Sequence, residues 1–191
     1  MSDERLRPWR ILGSEYRIET KFLRLRADRV ELPSGAVVDD YFVRESLGFC
    51  VVFAITRDGD VLLVRQYKHG AAAILTELPA GMIDAGEAPE ACAVRELAEE
   101  TGYAGEAPEH VRTFLTDPTN ATGRFHLFVV RDAEPRAQTA FDVTEDIEVE
   151  RASLAEVRAM ALDGRIAGGS QVAAVLVALD YLERGAPSGR K

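Results

Sequence analysis

Residues 81–103 of the chain read GMIDAGEAPEACAVRELAEETGY and carry the strongest structural signal in the sequence. Pro89 suits the first turn of a helix, where a missing N–H has no consequence, and Gly102 suits a left-handed cap at the C-terminal end. The two residues therefore predict a helix over residues 89–101.

Three acidic side chains share one face of this predicted helix, because Glu96, Glu99 and Glu100 stand at positions i, i+3 and i+4. The opposite face is predicted to be apolar and to consist of Ala91, Val94, Leu97 and Ala98. Three like charges within one turn repel each other unless a cation lies among them. Carboxylate oxygens suit Mg²⁺ or Mn²⁺. A solvated acidic face is the other interpretation, and the triplet alone does not separate the two.

A longer pattern surrounds the triplet and has the spacing G-x5-E-x7-R-E-U-x-E-E-x-G-U, where U is a bulky apolar residue. Its fixed positions are Gly81, Glu87, Arg95, Glu96, Leu97, Glu99, Glu100, Gly102 and Tyr103. This pattern resembles the complete Nudix box, and so many fixed positions make the signal specific. The preceding residues 77–80 also resemble that family. The hairpin before the box, residues 64–68 and residues 145–149 are similar to its ADP-ribose pyrophosphatase branch. The resemblance covers most of residues 9–183.

The resemblance implies an α/β fold, namely a Nudix-type α/β/α sandwich with a mixed central sheet. It also implies hydrolysis of an X-linked nucleoside diphosphate by a metal-activated water molecule. By the same resemblance, the metal ligands are Glu96, Glu100 and the main-chain oxygen of Ala80. Glu99 would bridge metals or help to orient water. The implied cofactor is Mg²⁺, for which Mn²⁺ can substitute.

The remaining residues of the box have structural interpretations. Gly81 and Gly102 are predicted to have structural roles, Gly102 as the C-terminal cap of the helix. Glu87 and Arg95 are predicted to form an ion pair that holds the loop to the helix. The general base of the resembling branch lies in a loop after the box. Glu145 is the candidate here, and a solvated acidic loop is the alternative interpretation.

Four residues are candidates for substrate binding. Pro118 lies fifteen residues after Tyr103, which resembles a marker of ADP-ribose pyrophosphatases. Arg124 could clamp a phosphate with two hydrogen bonds or merely lie at a strand edge. Gln66 and Lys68 alternate along a predicted strand and could face a cleft or solvent.

Outside the box, the hydrophobic pattern predicts a mixed α/β chain. Residues 22–32 and 36–44 flank a turn and predict an antiparallel β-hairpin. The other predicted strands are 49–55, 61–64, 72–78, 111–115, 125–130 and 148–150, and the other predicted helices are 154–161 and 171–183. We expect an N-terminal extension over residues 1–44, a catalytic domain over residues 45–184 and a frayed tail over residues 185–191. The resemblance implies that the extension forms a homodimer.

The composition of the chain disfavours several classes of binding partner. The chain has 191 residues and a net charge of −9, which disfavours binding to nucleic acid. Only Cys50 and Cys92 are present, so no disulfide framework is implied and a cytoplasmic location fits. No apolar run is long enough for a membrane span. The resemblance to the Nudix family implies a small nucleotide as the partner.

Two classes of function remain open. The first is an enzyme that cleaves ADP-ribose or a nucleotide sugar into a nucleoside monophosphate and a sugar phosphate. Hydrolysis of nucleoside triphosphates or of coenzyme A is the alternative within that class. The second class is a non-catalytic module that senses nucleotide sugars. Such a module could lose its acidic residues, whereas this chain keeps all of them, and the sequence therefore favours the enzyme.

Overall fold

The computed structural model describes residues 6–20, 23–136 and 146–185. The chain divides into two compact units. One consists of Met1–Leu47 with Leu115–Arg124, and the other consists of Gly48–Phe114 with Phe125–Lys191. Among the described residues, no helix is long and apolar enough to cross a membrane.

The first unit contains an antiparallel sheet of three strands in the order β1-β2-β3. The strands are β1 (Arg10–Glu19), β2 (Arg24–Glu31) and β3 (Val37–Glu45). Strands β2 and β3 confirm the predicted hairpin, and Gly35 adopts a positive φ of 86° in the turn between them. The sequence did not predict β1, because every residue of this strand is exposed and alternation of buried and exposed positions is absent.

The segment 115–124 packs within the same unit. The N–H of Arg44 donates to the carbonyl oxygen of Asn120 at 2.8 Å. The Tyr41 hydroxyl donates to the carbonyl oxygen of Thr119 at 2.7 Å. Hydrogen bonds such as these tie this distant segment to β3.

The second unit is built on a sheet of eight strands. Its main path has the order β11-β5-β4-β10-β8, while β6 pairs with β5, β7 pairs with β4 and β9 pairs with β10. The strands are β4 (Phe49–Thr56), β5 (Asp60–Lys68), β6 (Ala73–Glu77), β7 (Ala80–Met82), β8 (Tyr103–Ala104), β9 (Glu109–Leu115), β10 (Arg124–Pro135) and β11 (Ile147–Ser153). Strand β10 runs parallel to β4, whereas β5 and β7 run antiparallel to it. The predicted mixed sheet is confirmed.

In the part of the chain that the structure describes, three α-helices cover the two faces of this sheet: α1 (Pro89–Thr101), α2 (Leu154–Asp163) and α3 (Gly169–Arg184). Alternate residues of β4 point to opposite faces, so Val51 and Phe53 join a buried apolar cluster with α2 and α3. Cys50 and Val52 join a second cluster with α1. The predicted α/β/α sandwich is therefore confirmed, and among the described helices only α1 lies on its side of the sheet.

Candidate active site

Helix α1 begins and ends where the sequence predicted. Pro89 occupies its first turn, and Gly102 closes it in the left-handed conformation with a φ of 74°. The N–H of Gly102 donates to the carbonyl oxygen of Ala98 at 2.8 Å. These two ends fix the position of the acidic turn relative to the sheet.

Helix α1 turns part of its acidic side inward. Ala91 and Val94, which were predicted on the apolar face opposite the acids, are exposed, whereas Leu97 of the same set is buried. The buried residues of α1 are Cys92, Ala93, Glu96, Leu97, Glu100 and Thr101. Two carboxylates thus lie on the inward side, where polar partners stabilise them. The spacing along the helix does not predict this burial, because it depends on the backbone of residues 80 and 81 as a partner.

The backbone of residues 80 and 81 lies directly against these buried carboxylates. A Cβ atom at Gly81 would lie 1.9 Å from both Cδ and Oε1 of Glu96, so a larger residue there would displace the Glu96 carboxylate. The N–H of Ala80 donates to Oε2 of Glu100 at 2.9 Å. Glu96 and Glu100 therefore pack against the short strand β7 rather than facing open solvent.

Arg95 holds the loop before the helix and the acidic turn together. Its Nε and Nη2 donate to the two carboxylate oxygens of Glu87 at 2.8 and 2.9 Å. Its Nη1 donates to Glu96 at 2.6 Å and to Glu99 at 3.1 Å. Nη2 also donates to the carbonyl oxygen of Met82 at 3.0 Å. The structure thus contains the ion pair expected between Glu87 and Arg95.

This pairing changes the acidity of the groups involved. Hydrogen bonding from Arg95 lowers the pKa of Glu87 to about 2. The hydrogen bond to Glu87 in turn raises the pKa of Arg95. Both groups are therefore charged at neutral pH, and the loop is fastened to α1 by a charge-assisted pair of hydrogen bonds.

The acidic turn supplies oxygen donors of the kind that Mg²⁺ prefers. Across the described residues, no three acidic, histidine or cysteine side chains already surround a common point that would suit a metal ion. Glu96 and Glu99 instead contact Arg95, and Glu100 contacts the Ala80 N–H. The donor set fits a divalent cation, which would replace the contacts of Arg95 with Glu96 and Glu99.

The candidate substrate residues fall into both compact units. Gln66 is buried on β5, and Lys68 on the same strand has its Nζ 3.4 Å from Oε2 of Glu77. Pro118 and Arg124 are exposed and belong to the unit that contains the N-terminal sheet. Glu145, the candidate base, lies outside the described residues.

The sequence did not reveal the role of Gln171. This residue of α3 is only 4% exposed, and its side-chain oxygen accepts a hydrogen bond from the N–H of Leu78 at 2.9 Å. A polar residue within the apolar pattern of Val172, Ala174 and Val175 was the available signal. The role of Gln171 depends on its contact with Leu78, which lies 93 positions away in the sequence.

Comparisons with known proteins agree with this architecture. A family model described as NUDIX domain matches residues 46–172, and a model described as nucleoside diphosphate sugar hydrolase N-terminal domain matches residues 9–43. A methanol dehydrogenase activator from Bacillus methanolicus is 32% identical over 164 residues, which cover 85% of this chain and 86% of that protein. An ADP-ribose pyrophosphatase from Bacillus subtilis is 31% identical over 144 residues, which cover 75% and 77% of the two chains.

The fold itself matches a solved structure. A crystal structure of an ADP compounds hydrolase superposes with a TM-score of 0.82 and covers 94% of this chain and 96% of its own. The identity is 20%, so this similarity establishes the fold alone.

Proposed function

Because the chain belongs to the Nudix family of hydrolases, we propose that it hydrolyses the pyrophosphate bond of ADP-ribose or a related nucleoside diphosphate sugar. The products would be a nucleoside monophosphate and a sugar phosphate. The observation that carries this proposal is the acidic turn of α1, whose Glu96 and Glu100 lie buried against the backbone of residues 80 and 81. Several carboxylates in one place suit the binding of a cation that neutralises a pyrophosphate.

A divalent cation, Mg²⁺ or Mn²⁺, would neutralise the pyrophosphate and lower the pKa of a bound water molecule. Glu96, Glu100 and the main-chain oxygen of Ala80 would hold it, and Glu99 would help to orient water. Glu99 has the more exposed side chain, at 42% against 10% for Glu96. That exposure supports a role for Glu99 closer to solvent. Glu145 is the proposed general base.

We propose that the substrate contacts Gln66, Lys68, Pro118 and Arg124. Lys68 forms an ion pair with Glu77, and a phosphate of the substrate would compete with that carboxylate for the ammonium group. Arg124 is exposed and has a guanidinium suited to two parallel hydrogen bonds with phosphate oxygens. A sugar nucleotide as substrate is further supported by the family model that matches residues 9–43.

Residues 1–44 form the proposed dimerisation element, residues 45–184 the catalytic domain and residues 185–191 the tail. Strand β1 supports this division, because it exposes large apolar side chains on an edge strand. These side chains are Ile11, Leu12, Tyr16 and Ile18. A homodimer that acts in the cytoplasm on a small nucleotide is the assembly we propose.

A nucleotide panel tests this function. The full-length chain with Mg²⁺ is offered ADP-ribose, other nucleoside diphosphate sugars, nucleoside triphosphates and coenzyme A. The release of phosphate is measured after coupling to a phosphatase. We expect the highest kcat/KM for ADP-ribose or a nucleotide sugar. Preference for a triphosphate or for coenzyme A would refute the substrate class, and no turnover of any compound would support a sensing role instead.

A further inference from the structure

The side-chain amide of Gln171 forms two hydrogen bonds with the backbone of Leu78. Its side-chain oxygen accepts from the Leu78 N–H at 2.9 Å, and its Nε2 donates to the Leu78 carbonyl oxygen at 3.4 Å. Leu78 is fully buried, and Gln171 is 4% exposed. An amide side chain thus pairs with a peptide group deep in the protein, where breaking the pair would leave buried polar atoms unsatisfied.

The contact between Gln171 and Leu78 lies just beyond the end of the pairing between β5 and β6. Pairing of β6 with β5 ends at Glu77, the residue before Leu78. Pro79 follows and has no N–H to donate. Gln171 therefore supplies to Leu78 the hydrogen bonds that a neighbouring strand would otherwise supply.

The next two residues are held from other directions. The carbonyl oxygen of Pro79 accepts from the N–H of Val52 at 2.9 Å. The N–H of Ala80 donates to Oε2 of Glu100 at 2.9 Å. Three consecutive residues are thus fixed by α3, β4 and α1 in turn, and the segment connects α3 on one face of the sheet to the acidic turn on the other.

We propose that Gln171 is a positioning residue for the cation site, because it fixes the path of residues 78–80 and so aims the backbone of Ala80 at Glu96 and Glu100. This proposal rests on the proposed function, in which Ala80 and these two acids bind the cation. Residues that orient metal ligands without touching the metal commonly change metal affinity by roughly 10–100-fold when they are replaced.

Binding of Mn²⁺ to the full-length protein without substrate tests the proposal. Gln171→Met keeps the length of the side chain but removes both hydrogen bonds, and we expect its Kd for Mn²⁺, measured by electron paramagnetic resonance, to rise about tenfold or more. Hydrogen exchange at the amides of Leu78 and Ala80 should also quicken in this variant. If Gln171→Met does not fold, Gln171→Asn provides the same measurement, because its shorter side chain withdraws the amide from Leu78.

Leu179→Ala is the matched control. Leu179 is buried further along the same helix, and its truncation weakens the packing of α3 without altering the contact with Leu78. The Kd for Mn²⁺ of this variant should stay within about twofold of the wild-type value. In steady-state assays, the Mg²⁺ concentration for half-maximal rate should rise in Gln171→Met and not in Leu179→Ala.

The outcomes separate the two proposals. If wild-type protein binds Mn²⁺ and Glu100→Gln does not, the cation site stands. An unchanged Kd in Gln171→Met would then overturn the positioning role while leaving the proposed function intact. An equal rise in Leu179→Ala would also overturn it, because general destabilisation would explain the effect. If Glu100→Gln binds Mn²⁺ as tightly as wild type, the cation site itself is wrong.

Discussion

Gly81→Ala is the substitution whose effect follows most directly from the structure. The added methyl group would lie 1.9 Å from Cδ and Oε1 of Glu96 and 2.2 Å from its Oε2. Non-bonded heavy atoms settle about 3.5 Å apart, so the carboxylate has to retreat by more than about 1 Å. Glu96 is only 8% exposed and accepts a hydrogen bond from Arg95 at 2.6 Å, so it has little room to do so.

The displacement should appear chiefly in catalysis. Misplacement of a reacting group by about 1 Å can cost roughly 100-fold in rate, which corresponds to about 2.7 kcal/mol of barrier. Overpacking should also lower the free energy of unfolding by about 1–3 kcal/mol. We would measure kcat/KM with the best substrate of the nucleotide panel at saturating Mg²⁺, and unfolding in urea.

Gly70→Ala is the control, because nothing lies within 4 Å of a Cβ atom at that exposed position. Its kcat/KM should match that of the wild type. If Gly81→Ala retained more than about a third of wild-type kcat/KM, a barrier change below about 0.7 kcal/mol, Glu96 would not need its present position for the reaction.

Three further substitutions or deletions test other parts of the molecule. Glu100→Gln should fold but lose on the order of a thousandfold in rate, and activity above about a tenth of wild type would rule out its role as a ligand. Glu87→Gln should lower the free energy of unfolding by about 2 kcal/mol near neutral pH. The lowered pKa of Glu87, about 2, stabilises the folded state above the unfolded pKa. That contribution disappears as pH falls through the pKa of Glu87 in the folded state. The difference in free energy of unfolding between wild type and Glu87→Gln, measured in urea, should therefore shrink in acid. A difference that does not change with pH would contradict the ion-pair explanation. Deletion of residues 1–44 should give aggregated or inactive protein in light scattering and rate assays, whereas an active monomer would disprove the dimerisation role.

The sequence predicts the elements whose signals are local. Pro89 and Gly102 identify both ends of α1, because each acts through its own backbone conformation. The spacing of Glu96, Glu99 and Glu100 likewise places them near one another on the helix.

What the sequence could not predict depends on distant contacts. The inward orientation of Glu96 and Glu100 requires Arg95, Gly81 and the Ala80 N–H as partners, and residue periodicity does not contain that information. The same is true of Gln171, whose role depends on its hydrogen bond with the distant Leu78.

The parallel pairing of β10 with β4 constrains the order in which the chain can assemble during synthesis. Phe49 pairs with Phe125 and Val52 with Phe128, so a central strand made early gains this neighbour only after more than half of the chain has left the ribosome. Strands β1, β2 and β3, by contrast, pair with neighbours in sequence and need no later residue for their ladder. Until β10 emerges, one edge of the apolar strand β4 is open to other chains. The nascent protein therefore exposes an aggregation-prone strand edge at a stage when helix α1 has already been made.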